Sequence, residues 1–152
     1  MPRVHEDNPR FRTKEKLCSD IALVLNNSDL SYGTKFAVLS EATWVWTEFD
    51  GKYKGCKRWS EAAWKIKEQS KELCHEHVVP KRLVIKRLQS LKPPTPNSVM
   101  EVMTKYCIGV VVTRAEDALL TNEGLRSQMP SGCDEGCVGK VHEGRDCASQ
   151  SR

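Results

Sequence analysis

Apolar residues recur at helical spacing through the first part of the chain, in blocks separated by short polar breaks. Leu17, Cys18, Ile21, Val24 and Leu25 share one face of a helix that Thr13 can cap and that Asn26-Asn27-Ser28 should close. A turn through Ser31-Tyr32-Gly33 leads to Thr34 and a second helix, with Phe36, Leu39, Thr43 and Trp46 as its stripe and Ser40, Trp44 and Thr47 alongside. Together the two predict a helical hairpin. Trp44 and Trp46, two residues apart, point in nearly opposite directions on a helix, so one belongs in the core and the other at its edge or at an interface. Ser60 caps a third helix through Glu61-Ala62-Ala63-Trp64-Lys65-Ile66-Lys67, ending near Lys71.

The pattern changes at Cys74-His75-Glu76-His77-Val78-Val79-Pro80. His77-Val78-Val79 has β-branched character and is closed by a proline that disfavours helix at residue 79, which predicts a short strand or extended entry. Leu83, Val84, Leu88 and Leu91 then return to helical spacing, with Lys81, Arg82, Lys86 and Arg87 on the remaining face and Pro80 at the helix start. Lys92-Pro93-Pro94-Thr95-Pro96 is a stiff connector. Asn97 or Ser98 should cap a helix through Val99, Val102, Met103 and Tyr106, and Cys107-Ile108-Gly109-Val110-Val111-Val112-Thr113 predicts a strand. Thr113 and Glu116 form a capping box for a helix from Arg114 to Asn122 that should stop at Gly124.

These elements predict a mostly helical α+β fold: a helical hairpin plus a basic helix, with one or two short strands. Residues 14–130 form the single domain. Residues 1–13 mix charges with Pro2 and Pro9 and read as a flexible arm, and residues 131–152 are a polar, glycine-rich tail containing Cys and His. A chain of 152 residues has room for one ordinary core. No window has the length of a membrane-spanning helix and the N-terminus lacks an apolar leader, so a soluble cytoplasmic protein without membrane contact is expected. Seven cysteines cannot all pair internally, which favours reduced thiols or metal ligands.

Charge changes the picture more than composition does. Residues 1–92 hold 18 Lys/Arg against 12 Asp/Glu, whereas residues 93–152 hold 6 against 8, so the formal charge of +4 conceals a basic first part. A nucleic acid or an acidic protein surface is the partner expected there. Besides the basic helix, Phe49-Asp50-Gly51-Lys52-Tyr53-Lys54-Gly55-Cys56-Lys57-Arg58-Trp59 interleaves cations and aromatic rings. The segment suits a loop on a nucleic-acid backbone, through Lys52, Lys54, Lys57 and Arg58, or a glycine-hinged turn whose rings point into the core. Oligomeric state has no signature.

A carboxylate beside a histidine at a strand end, as in Glu76-His77, can hold a divalent metal and activate a water, the combination that phosphodiester hydrolysis uses. Glu76-His77-Val78-Val79-Pro80 resembles the opening of the HNH, or ββα-metal, nuclease motif. The resemblance implies His77 as general base and Glu76 as a ligand of Mg²⁺, with Asn97 as the central asparagine. No histidine follows until His142, so Asp117 would supply the closing carboxylate. The segment from Trp44 to Pro130, with Gly51-Lys52-Tyr53, His75 to Pro80 and Thr113 to Asp117, is also similar to small uncharacterised proteins of bacteria and their mobile elements.

Two zinc sets compete with these readings. Cys74, His75 and His77, with Cys56, would use the common face that His75 and His77 share in an extended chain. In the tail, Cys133-x3-Cys137-x4-His142-x4-Cys147 is similar to the retroviral-type zinc knuckle, with one extra residue between the first two cysteines; it implies Zn²⁺ and single-stranded nucleic acid. Nucleophilic catalysis has no foothold, because neither a Gly-x-Ser-x-Gly elbow nor a phosphate-binding glycine loop occurs. Two functions are therefore expected. The first is a nucleic-acid- or protein-binding accessory or inhibitor protein of a phage or mobile element, acting through the basic helix; the alternative is an HNH-like metal-dependent DNA endonuclease.

Overall fold

A computed structural model describes residues 13–53 and 55–130. The arm up to residue 12, Lys54, and the whole tail with Cys133, Cys137, His142 and Cys147 lie outside the described residues. The element order is α1 (Lys14–Asn26), α2 (Tyr32–Thr47), α3 (Glu61–Lys65), a 3₁₀ turn (Ser70–Glu72), β1 (Leu73–His77), α4 (Lys81–Gln89), α5 (Pro96–Tyr106), β2 (Gly109–Thr113) and α6 (Arg114–Asn122). This is the mostly helical α+β arrangement that the apolar periodicity predicts.

Local chemistry sets most boundaries. The Thr13 hydroxyl accepts from the Lys16 amide at 3.1 Å and opens α1. α2 starts before Thr34, because Ser31 is its cap and accepts the Thr34 amide at 3.2 Å, which puts Tyr32 and Gly33 in the first turn. α3 ends well short of Lys71: after Lys65 the backbone tightens through Ile66 N–H to the Ala63 carbonyl and Gln69 N–H to the Ile66 carbonyl. α5 is capped by Thr95 rather than by Asn97 or Ser98. Pro96 takes the first helical position, and Ser98 completes the box by accepting the Thr95 amide at 2.9 Å.

β1 also begins earlier than the β-branched pair suggests. It pairs antiparallel with β2 from Leu73↔Thr113 to His77↔Gly109, while Val78 gives one last hydrogen bond to the Ile108 carbonyl and Val79 turns into the core. Val111 spends its N–H on the Arg58 carbonyl and its C=O on the Ser60 amide, so the segment around Trp59 extends the sheet at the β2 edge. Val111 therefore has nothing left for His75 opposite. Val110 and Val112 make the ladder, and the backbones of His75 and His77 face the outer edge of β1.

Two apolar clusters hold the chain. The larger joins α1, α2, α4 and α5 through Ile21, Leu39, Ile85, Leu88, Val99 and Met103. The smaller lies under the sheet and contains Cys56, Ala63, Leu73 and Val111, with Tyr53 and Trp59 packed against it. Tyr53 and Trp59 of the aromatic-basic loop thus point inward, as the glycine-hinged alternative has it. Tyr53 donates its hydroxyl proton to the Leu73 carbonyl at 3.2 Å, and Trp59 donates Nε1–H to the Cys56 carbonyl at 2.9 Å.

Candidate functional site

Alternation along β1 sorts its side chains to two faces. His75 and His77 turn toward α2, where their ring centroids lie 5.9 and 4.1 Å from that of Trp44. Trp46 points into the core and Trp44 stands at its edge, the division that their spacing requires. The His75 side chain is fully buried and donates Nδ1–H to Glu48 at 3.2 Å. Its Nε2 has no partner, consistent with a bare lone pair facing Gly109, where a Cβ would overlap the ring and approach Thr47 Cβ to 3.1 Å. Burial lowers the pKa of His75 and outweighs the pull of Glu48.

His77 donates Nε2–H to the Thr43 carbonyl at 3.3 Å, which leaves Nδ1 as its acceptor. Burial takes its pKa from 6.5 down to about 4; Thr43 opposes this, and the nearby His75 and Lys81 reinforce it. The imidazole is neutral at physiological pH.

Glu76 faces the other way, onto α6. Its carboxyl shares the cleft with Asp117, and burial followed by the Asp117 charge raises its pKa, against the opposing pull of Arg126 and Lys81. Arg126 Nη2 stands 3.5 Å from Asp117 Oδ1 and 3.9 Å from Glu76 Oε1, so it ion-pairs with both without hydrogen-bonding to either. Asp117 Oδ1 is buried without a hydrogen-bond partner. Trp44, Glu76, His77, Pro80, Lys81, Asp117, Leu120, Leu125 and Arg126 line an open cleft of about 310 Å³ at this end of the sheet.

The cleft owes its outer wall to the way α6 ends. Gly124, at φ +72°, donates its amide to the Thr121 carbonyl at 3.1 Å, and Leu125 donates to the Leu120 carbonyl at 2.9 Å. This is a Schellman closure, in which glycine relieves the left-handed backbone. It reverses the chain and brings Leu125 and Arg126 back over Asp117.

The cations divide into groups. Arg82 and Lys86 are exposed on the outer face of α4, whose opposite face buries Val84, Ile85 and Leu88. Lys81 sits at the cleft with Nζ 5.8 Å from the Trp44 centroid, and Arg87 lies over Tyr106 at 4.0 Å, with Lys105 5.1 Å from the same ring. Lys52, over Tyr53 at 5.7 Å, and Lys57 and Arg58 are exposed in the loop before α3.

Glu76, His77 and Asp117 therefore share one cleft, while Asn97, in the first turn of α5, is not among its lining residues. Among the described residues no group of three or more His, Cys, Asp or Glu is disposed to hold a metal ion. The two carboxyls of the cleft already face Arg126. Cys74, His75, His77 and Cys56 do not form such a group either, and the single Cys56 S–H is shared between the Arg58 and Gly109 carbonyls at 3.3 and 3.4 Å. Burial raises the thiol pKa of Cys18, to about 11, and of Cys56, Cys74 and Cys107, so none of these four is an activated nucleophile. Sequence reasoning missed Arg126, Leu120 and Leu125. The helix stop at Gly124 was their one local signal, because it marks where the chain must turn back.

No described helix is long and apolar enough to cross a membrane. Comparison of the chain with family models, with curated proteins and with solved structures finds no match.

Proposed function

We propose that this protein binds a nucleic-acid strand along α4 and does not itself cleave it. One observation carries the reading: Arg82 and Lys86 stand one turn apart on the solvent face of a helix whose other face is locked into the main core. The packed helix fixes the spacing of these cations without further ordering of the backbone, and they draw a polyanion through counterion release. Lys81 continues the row to the rim of the cleft. The reading accommodates an accessory or inhibitor protein of a phage or mobile element whose target is a nucleic acid.

Fluorescence anisotropy with short single-stranded and duplex DNA tests it. Binding should weaken steeply with salt, and Arg82→Gln and Lys86→Gln should each reduce the logarithmic salt slope by about one. Failure to bind DNA at low salt, together with capture of an acidic protein by the same face, would transfer the role to a protein partner.

A second reading, metal-dependent phosphodiester hydrolysis, is favoured by the meeting of Glu76, His77 and Asp117 in one cleft. It requires plasmid nicking with Mg²⁺ or Mn²⁺ that His77→Ala abolishes without unfolding the protein. Intact plasmid after prolonged incubation rejects it.

A further inference from the structure

The cleft beside β1 has features that a basic helix does not need. Its volume of about 310 Å³ accommodates a nucleobase with its sugar, and Trp44, Pro80, Leu120 and Leu125 give it flat or apolar walls. Its two carboxyls do not call for a cationic guest, because the chain supplies its own: Arg126 lies over Glu76 and Asp117, and Lys81 lies over Trp44. What is missing is a hydrogen-bond donor. Asp117 Oδ1 is buried and accepts no hydrogen bond, Arg126 at 3.5 Å ion-pairs with it without donating one, and the Glu76 carboxyl shares the same arginine and cleft.

Two neighbouring carboxyls present acceptors side by side, even with one proton shared between them, and so select a ligand with adjacent N–H donors. Guanine offers that edge in its N1–H and 2-amino group. Adenine and cytosine alternate a donor with an acceptor, and uracil and thymine set one N–H between two carbonyls. A base already unpaired reaches such a cleft without the cost of opening a duplex.

We propose that the cleft recognises a single unpaired guanine: its ring lies among Trp44, Leu120 and Leu125, its N1–H and 2-amino group bond to Asp117 and Glu76, and its phosphate meets Lys81. The site rests on the proposed strand binding, because Lys81 is the first residue of α4 and leads directly to Arg82 and Lys86. The guanine N–H takes the place over Asp117 Oδ1, and the exposed Arg126 guanidinium shifts along the rim while keeping its charge against both carboxyls.

The test titrates the full chain with GMP, AMP, CMP and UMP, following backbone amide shifts of residues 76, 117 and 120. Anisotropy then compares single strands with and without guanine. GMP should bind about tenfold or more tightly than the other three, the discrimination expected of a paired hydrogen-bond contact. Asp117→Asn should reduce GMP to the level of the others, and Lys81→Gln should narrow the difference between GMP and guanosine. Leu120→Arg, at an exposed wall residue, should block GMP even if Asp117→Asn fails to fold. Equal titration by all four nucleotides, or none by GMP, overturns the guanine site. Strand binding without guanine preference overturns it while leaving the role of α4 intact. GMP preference without strand binding supports the cleft and overturns the strand reading, making the ligand a free nucleotide.

Discussion

α4 and α6 are both nine residues long and both amphipathic, yet they are held by different physics. α4 joins a body in which Leu39, Val84, Leu88, Val99 and Met103 are all 0% exposed. α6 buries no residue fully and leaves Leu119 62% exposed. Its attachments are polar or local: the Thr113–Glu116 box, the Ser60 hydroxyl donating to Glu116 at 2.7 Å, Arg126 over the two carboxyls, and the Schellman turn. The stability of the fold therefore resides in the helical body. The cleft lies where packing is loose enough to leave a carboxylate oxygen without a hydrogen bond.

Core truncation is the most severe way to break this contrast. Leu88→Ala removes a fully buried side chain from the body and should cost about 2–5 kcal/mol in urea unfolding, whereas Leu119→Ala should change stability by no more than about 0.5 kcal/mol. Similar costs for the two would mean that α6 is packed as tightly as α4, and the contrast would fail.

Acid gives the next largest effect. His77, with a native pKa of about 4 against 6.5, binds its proton less readily when folded. Its contribution is thus complete above the unfolded pKa and is lost as pH falls from 6.5 toward 4, by about 3 kcal/mol at most. His75, also lowered by burial, acts in the same sense. Glu76 acts in the opposite sense: its raised pKa gives stability at low pH that is lost as pH rises through the native value. Unfolding free energies between pH 4 and pH 7 should rise with pH in the native chain and rise less in His77→Leu. An unchanged slope in that variant would show that the ring titrates freely.

How much of this was legible depended on how local the cause was. Thr13, Ser60, the Thr113–Glu116 box and Gly124 act within one helical turn, so α1, the start of α3 and both ends of α6 can be read directly from the chain. Glu76, His77 and Asp117 were suggested by residue type and by a family resemblance, while their meeting in one cleft depends on the β1–β2 register, which neither segment specifies alone. Gly109 looked like an ordinary strand residue, and its need to be glycine appears only once His75 lies across from it. Arg126 had no periodic neighbours at all, and its position comes from the reversal at Gly124.

The capping box supplies the smallest effect and the finest test of the comparison. Glu116 Oε2 accepts from the Thr113 amide at 2.8 Å, the Thr113 hydroxyl at 3.0 Å and Ser60 at 2.7 Å. Burial alone would raise the Glu116 pKa, but these three donors outweigh it and hold the carboxyl below its ordinary value. Thr113→Val keeps the strand shape and removes the hydroxyl that accepts the Glu116 amide, at a cost of about 1 kcal/mol. If α6 opens without the body, amide exchange should accelerate over residues 116–125 and stay unchanged at Val84, Ile85 and Leu88. Equal acceleration in both helices would mean that they unfold as one cooperative unit, in which case the weak attachment of α6 would not by itself give the cleft any freedom to open.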